Sequence, residues 1–339
     1  MANFQKFCHV IVLGAGSAKD AGYPVVPDLL SFEYIDKLFK DLTDSRLHVS
    51  ENIRQNIIKE CKYLLEIGDD LETIFMNFEK ANNQEGLNRV VRYYETHFAL
   101  ARNRAESAGV DKKARCEYLT YFLNALEFRD DITAVITFNH DCLIELMAAT
   151  TDRGSMLGYC LPRELRFKLF PEGVLNVAGP TGNEDELRAV DFLKLHGSMN
   201  WVRCTACGGV GVGSEGALMP NTIFPCQRCG AQNSLVPLVV PPSRTKNLSG
   251  MEYLWSRAYE HLIHAAAVSF IGYSIPEYDL EAQQLFKQAF RDAQNLYAIR
   301  VINKHFDDKL KQRYLDLGRS EIVDFVEMGF KDTFNYSYW

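Results

Sequence analysis

Four of the nine cysteines fall in two C-x-x-C pairs, Cys204 and Cys207 in "CTAC" and Cys226 and Cys229 in "CQRC", with eighteen residues between the pairs. Thiolates at this spacing can close a tetrahedron around zinc. A glycine follows the second cysteine of each pair, which suits a knuckle turn. Four protein ligands leave no open coordination position, so such a metal would be scaffold and not catalyst. Elsewhere "KLHGSMNW" places His196 directly before a glycine, where an imidazole can act as a general base near neutral pH. A satisfied structural histidine fits the same position. "TFNHD" offers Asn139, a neutral amide able to hold a hydroxyl or a water, and Asp141, able to accept hydrogen bonds and fix a loop. An ordinary strand-end turn uses the same residues.

The stretch "VIVLGAGSAKDAGYP" carries Gly14, Ala15 and Gly16 after an apolar run. Glycines there let backbone approach a pyrophosphate closely, and the N-terminus of a following helix adds N–H groups and positive dipole. A dehydrogenase fingerprint needs a third glycine at position 19, where the chain has Lys19, so that reading half fits. His261 and His264, at i, i+3 on a helical stretch, read as surface residues. Cys8, Cys61, Cys116, Cys142 and Cys160 sit among apolar or helix-forming neighbours and read as small buried hydrophobes. Paired cysteines beside scattered ones suit a reducing compartment better than a disulfide framework.

These residues need elements to hold them. Residues 8–13 read as a buried strand, and "TAVITF" (133–138), "VDFLKL" (190–195), "AVSFIGY" (267–273), "YAIRVI" (297–302) and "IVDFV" read as further strands. Helical periodicity fills "GMEYLWSRAYEHLIHAA", "LEAQQLFKQAFRDA" and a segment around 306–317. Alternating strands and helices predict an α/β fold with a parallel sheet covered on both faces. Ligands collect at the carboxyl ends of such strands. Gly14, Asn139, His196 and Asn303 all follow strand candidates and so load one rim. Between the first strand and the second lie roughly a hundred residues of helical text, too many for a simple crossover. The expected division is a sheet domain over 1–30, 131–200 and 235–339, a helical insertion over 31–130, and a four-cysteine module over 201–234.

The chain has 339 residues, 47% hydrophobic and 24% charged, with a formal charge of −7. That balance gives no reason to expect nucleic-acid or membrane binding. No window approaches the ~18 apolar residues of a membrane span. "MANFQKFCHVIVL" lacks a secretory pattern, so the expectation is a cytoplasmic protein.

In order, the chain reads "GAG"–x₄–"AG"–x–"P", "TFNHD", "LHGS", the C-x-x-C pairs, "VVPP", "GYSIP" and "IN". This order resembles the sirtuin superfamily, NAD-consuming enzymes built on a Rossmann-like domain with a small zinc-ribbon-like module. The resemblance covers roughly 1–30 and 130–305, and the 31–130 helices are not part of the usual pattern. It implies that Gly14 forms the turn while Ala15 and Gly16 line the pyrophosphate. It makes Asn139 the holder of a water or hydroxyl beside the nicotinamide ribose, Asp141 the residue that orients this pocket, and His196 the catalytic base. Gly272 and Ser274 would bind NAD phosphate and ribose, and Asn303 the adenosine ribose.

Departures narrow the activity. Where deacylases of the family carry Asp-Phe-Arg, this chain has Val25, Val26 and Pro27. Where they continue the valine pair with a peptide-pairing Phe-Gly-Glu, it has Pro241 and Pro242, which lack N–H groups. The resemblance therefore implies an NAD⁺ glycohydrolase that passes the ribosyl group to water, of the kind that serves as an effector in bacterial antiphage defence. Its expected cofactor is structural Zn²⁺, and its expected partners are copies of itself or a separately encoded sensor, an ATPase or a nuclease. The alternatives are a protein deacylase or ADP-ribosyltransferase, and a sensor that binds NAD or ADP-ribose without turnover.

Overall fold

The computed structural model describes residues 8–19, 29–31, 51–69, 71–83, 112–150, 157–162, 164–168, 190–213, 225–232, 234–240 and 250–334, with shorter runs and single positions between them. The chain divides into two compact units. Met1–Ser17, Cys116–Val240 and Asn247–Trp339 form the first, and Ala18–Arg115 with Pro241–Lys246 the second.

In chain order the elements are β1 His9–Leu13, α1 Gly16–Lys19, α2 Glu51–Ile67, α3 Leu71–Lys80, α4 Lys112–Phe128, β2 Ile132–Thr137, α5 Leu143–Thr150, β3 Leu157–Gly158, β4 Arg166–Lys168 and β5 Val190–Lys194. There follow β6 Gly197–Cys204, β7 Val210–Val212, β8 Leu235–Val239, α6 Glu252–His264, β9 Ala267–Ile271, α7 Leu280–Asp292, β10 Ala298–Asn303, α8 Asp308–Leu315, β11 Val323–Glu327 and α9 Phe330–Thr333. The helical text expected over 31–130 thus contributes α2 and α3 to the second unit, while most of α4 belongs to the first.

Seven strands make a parallel sheet in the order β11-β10-β9-β1-β2-β5-β3. All five residues of β1, "HVIVL", are buried, as a strand covered on both faces requires. The chain leaves β1 toward β2 and β5, and later returns to its other side with β9, β10 and β11. The order reverses at β1, where Rossmann-like sheets open a crevice beyond the strand ends. Register sets the height of that rim. Leu13 is level with Thr137 and with Ile271, Thr137 with Lys194, and Ile271 with Ile302. Residues 14, 138, 195, 272 and 303 therefore stand side by side at the rim.

Helix α7 shows why the flanking helices form where they do. Ala282, Leu285, Phe286, Ala289 and Phe290, spaced by three and four, are its buried stripe, and Asp279 caps its start. Helix α6 packs on β2, β5 and α7. No described helix is long and apolar enough to cross a membrane.

A second, four-stranded sheet in the order β4-β7-β6-β8 carries the cysteines. In the second unit, Leu38 and Ile57 are buried with Phe39 and Ile58 against them, and the Tyr93 hydroxyl donates to the Leu29 carbonyl at 2.8 Å.

Candidate active site

The rim is built from glycine outward. The Gly14 amide donates to Ile271 O at 3.1 Å and the Gly16 amide to Gly272 O at 2.9 Å. A Cβ on Gly14 would stand 2.4 Å from the Tyr273 Cα, and one on Gly16 2.8 Å from Gly272 O. The loop after β9 therefore demands both glycines. The Ser17 amide also donates inward, to Gly14 O at 2.9 Å. The N–H groups that the sequence offers to a pyrophosphate are thus engaged by protein at Gly16 and Ser17. Ala15, between Gly14 and Gly16, is exposed, as is Ser274 across the rim.

Ser17 links β1 to β2. Its Oγ donates to Gly14 O at 2.7 Å and accepts from Asn139 Nδ2 at 3.1 Å, while the Asn139 amide donates to Thr137 Oγ1 at 3.1 Å. The Asn139 side chain is held at one end only. Its Oδ1 is buried and has no hydrogen-bond partner among the described residues. Such an acceptor costs stability unless something donates to it, so it marks where a water or substrate hydroxyl fits. Asp141 starts α5, where its Oδ1 accepts from Leu143 N at 3.0 Å. Burial pushes its carboxyl above the ordinary range, against the pull of Lys194. Its place is to fix the loop that carries Asn139.

Gly197 sets the position of His196. It has φ +74°, and a Cβ there would lie 2.0 Å from Leu238 O. Only glycine turns the chain from β5 into β6 against β8. The His196 imidazole is buried, with Phe138 edge-on at 4.9 Å between centroids, the His140 ring at 5.9 Å and Trp255 at 6.5 Å. Trp255 Nε1 donates to Leu195 O at 3.1 Å, which fixes the indole. Nε2 of His196 lies 3.3 Å from Oδ2 of Asp279. Asp279 is 1% exposed and accepts a hydrogen bond from the Tyr273 hydroxyl at 2.9 Å. Burial first, then the Asp279 carboxylate, holds the Tyr273 phenol well above its ordinary range, so it stays a donor. Asp279 and Tyr273 escape a reading of the sequence. The one local signal, an aspartate before a helical stripe, says only helix cap.

Two clusters therefore share the rim. Gly14, Gly16, Ser17, Asn139 and Gly272 form one, and His196, Phe138, His140, Tyr273 and Asp279 the other. Consecutive residues carry both: Phe138 and His140 flank Asn139, and Tyr273 follows Gly272. Asn303 joins through its amide, which donates to Tyr273 O at 3.3 Å. Ser274 enters by its backbone, accepting from Arg313 Nη1 at 3.1 Å. Val240, the second residue of the valine pair, gives its N–H to His196 O at 2.8 Å, and its carbonyl lies 2.9 Å from His140 Nε2. The residues at Val25–Pro27 and 241–247, on which the peptide-groove comparison turns, lie outside the described residues.

The four cysteines meet as their spacing predicts. Their sulfurs all lie within 4.8 Å of one another, with Cys204–Cys229 at 3.7 Å and Cys207–Cys226 at 3.8 Å. A tetrahedron of zinc–sulfur bonds has edges of about 3.8 Å, so the set fits zinc, and the separations are far too long for disulfides. The two knuckles repeat each other. Gly208 N donates to Cys204 O at 2.9 Å and Gly230 N to Cys226 O at 2.8 Å, both glycines being left-handed. Strand β6 runs from Gly197, next to His196, to Cys204 of this cluster, a separation of eight residue steps and at most about 27 Å.

Away from the rim, His261 is not a simple surface residue, for its Nε2 lies 2.7 Å from Asp191 Oδ2, beside Arg257. Burial, followed by the Asp191 carboxylate, pushes the neighbouring Cys160 thiol up, leaving it inert.

No family model matches the chain, and no curated protein matches it. Among solved structures it is similar to Sir2Tm bound to a propionylated peptide, with 14% identity and a TM-score of 0.44 over 97% of this chain and 90% of that one. It is likewise similar to a Sir2 homolog–NAD complex, with 15% identity and a TM-score of 0.42 over 96% and 86%. A Sir2–p53 peptide–NAD⁺ complex gives 14% identity and a TM-score of 0.42 over 97% and 90%.

Proposed function

We propose that this chain is a sirtuin-like NAD⁺ glycohydrolase, which cleaves NAD⁺ to nicotinamide and ADP-ribose. The observation that carries the reading is the pairing of two groups on one rim. Asn139 presents a buried acceptor without a protein donor among the described residues, and its neighbours Phe138 and His140 both lie against the ring of His196. The bond from nicotinamide to ribose breaks with its electron pair going to the pyridinium nitrogen, so the leaving group departs neutral and needs no acid. The ribosyl carbon passes through an oxocarbenium-like state. Water held by Asn139 Oδ1 adds to that carbon, and His196 takes its proton. Zinc held by Cys204, Cys207, Cys226 and Cys229 would supply rigidity to the second sheet and no chemistry to this step.

Water is the acceptor in this reading because the peptide site is poorly provided for. Both backbone groups of Val240 are engaged by His196 and His140, leaving nothing at that position for a substrate strand. The wider role rests on the resemblance in sequence. A cytoplasmic enzyme that destroys NAD⁺ must be restrained, so we assign it to a regulated effector of antiphage defence. The helices over 31–130 would serve as a lid or assembly surface for copies of the chain or a separately encoded sensor. Chromatography of NAD⁺ incubated with the purified protein, Asn139→Ala and His196→Ala tests the reaction. Nicotinamide and ADP-ribose from the wild type alone, with no peptide present, is the expected result. Turnover that depends on an acyl-lysine peptide would overturn it.

A further inference from the structure

We propose that Asp279 is the positioning residue of His196, holding the imidazole proton on Nε2 so that Nδ1 carries the lone pair that accepts a proton. The inference rests on the reading of His196 as the base, and it deepens that reading by naming what sets the base. Asp279 Oδ2 stands 3.3 Å from Nε2, close enough to bias the tautomer and to stabilise the imidazolium once it forms. The carboxylate is itself held by its neighbours. Its side chain accepts from Ala282 N at 3.4 Å, its amide donates to Pro276 O at 3.0 Å, and the Tyr273 hydroxyl donates to Oδ2 at 2.9 Å. Tyr273 in turn stacks on Phe138 at 4.5 Å with 7° between the planes. Phe138 lies against the same imidazole, so one aromatic stack braces acid and base together.

A bare helix cap would not need this arrangement. Asparagine caps a helix as well as aspartate, and a cap has no reason to face a buried imidazole. The titratable groups set against the ring include Asp279 from the start of α7 and His140 from the loop after β2. Tyr273 acts through Asp279, and Phe138 and Trp255 pack on the ring. A carboxylate at this distance in a buried setting favours the charged ring, so its loss must lower the pH at which His196 takes a proton.

The experiment tracks the His196 ring by NMR in protein labelled with ¹⁵N-histidine, assigned with His196→Gln, beside kcat against pH for NAD⁺ hydrolysis. Wild type is expected to show the proton on Nε2. Asp279→Asn keeps the cap and is expected to lower the titration midpoint of His196 by about one unit, to move the acid limb of kcat the same way, and to cut kcat about 10-fold or more. Tyr273→Phe removes the competing donor from Oδ2 and is expected to move the midpoint upward. A purely structural Asp279 would not produce these opposite shifts. A wild-type ring protonated on Nδ1, or an unchanged midpoint in both variants, overturns the proposal. The wild-type tautomer needs no variant to fold. The ring titration is read without substrate, so a protein that leaves NAD⁺ intact but shows the shifts sinks the glycohydrolase and keeps the dyad. One that cleaves NAD⁺ without the shifts does the reverse.

Discussion

Gly16 and Gly272 occupy each other's side-chain space. The Gly16 amide donates to Gly272 O at 2.9 Å, a Cβ on Gly16 would approach that oxygen to 2.8 Å, and a Cβ on Gly272 would approach Ser17 N to 2.5 Å. Gly272 also sits at φ +62°, which L side chains rarely adopt. Gly272→Ala is therefore expected to lose roughly 3 kcal/mol in urea unfolding, from strain and clash combined. Gly318 is the control. Its φ is +95° but nothing lies within 4 Å of a built Cβ, so Gly318→Ala is expected to lose only about 1 kcal/mol. Equal losses would show that crowding at the rim is not the reason for the glycine.

His9 makes stability depend on pH. Its Nε2 lies 2.9 Å from Ser269 Oγ inside the sheet, and burial, with Arg129 adding to it, pushes the imidazole down to about 4 from 6.5. Because the folded value is the lower one, the unfolded chain binds the proton first as pH falls. The fold is therefore stabilised above about pH 6.5 and loses that stability progressively toward pH 4, by on the order of 3 kcal/mol for this residue. His9→Gln keeps a hydrogen-bonding side chain without the titration. The measurement is urea unfolding of both proteins at pH 7.5 and pH 4.5. The wild type is expected to lose more than the variant by about that amount, and parallel losses would remove His9 from the explanation.

Much of the sheet was legible because buried parallel strands are continuous apolar runs. "HVIVL", "AVSFI" and "AIRVIN" fall where their composition puts them. Strand β6 was not legible, since "GSMNWVRC" mixes small, polar and aromatic residues and its pairing comes from β7 and β8. Strands β3, β4 and β7 are two or three residues long and leave no period to read. The glycines at 14 and 16 were visible, but their reason was not: it lies in backbone at 272–273. Asp279 was invisible as a partner of His196 for the same cause. A contact between residues distant in the chain leaves no local pattern, whereas the C-x-x-C pairs carry their geometry in their spacing.

Metal content follows from that spacing. The purified protein is expected to hold one zinc ion per chain, and Cys207→Ser or Cys226→Ser to lose it. Chelation should lower the melting temperature, because the two knuckles anchor the ends of β6 and β8. The rate of the protein that stays folded should not change, since four sulfurs close the coordination sphere. A rate that tracks zinc occupancy in fully folded protein would contradict the scaffold assignment.

Lys194 and Glu145 form an ion pair beneath the rim, 2.7 Å apart and each only 1% exposed. Burial pulls the ammonium down, yet the Glu145 carboxylate beside it holds Lys194 above its ordinary range. Tyr159 donates to the same Glu145 oxygen at 3.0 Å, and Lys194 also donates to Asp141 O. The pair therefore ties β5, two residues before His196, to the loop that carries Asn139. Removing one partner strands the other charge without water. Lys194→Met is expected to lose about 3–5 kcal/mol in chemical unfolding, while Lys194→Met with Glu145→Leu recovers part of it. The double variant should nonetheless hydrolyse NAD⁺ more slowly than wild type, because the apolar pair no longer holds the Asp141 carbonyl. Full recovery of both stability and rate would mean that the ion pair has no part in shaping the site.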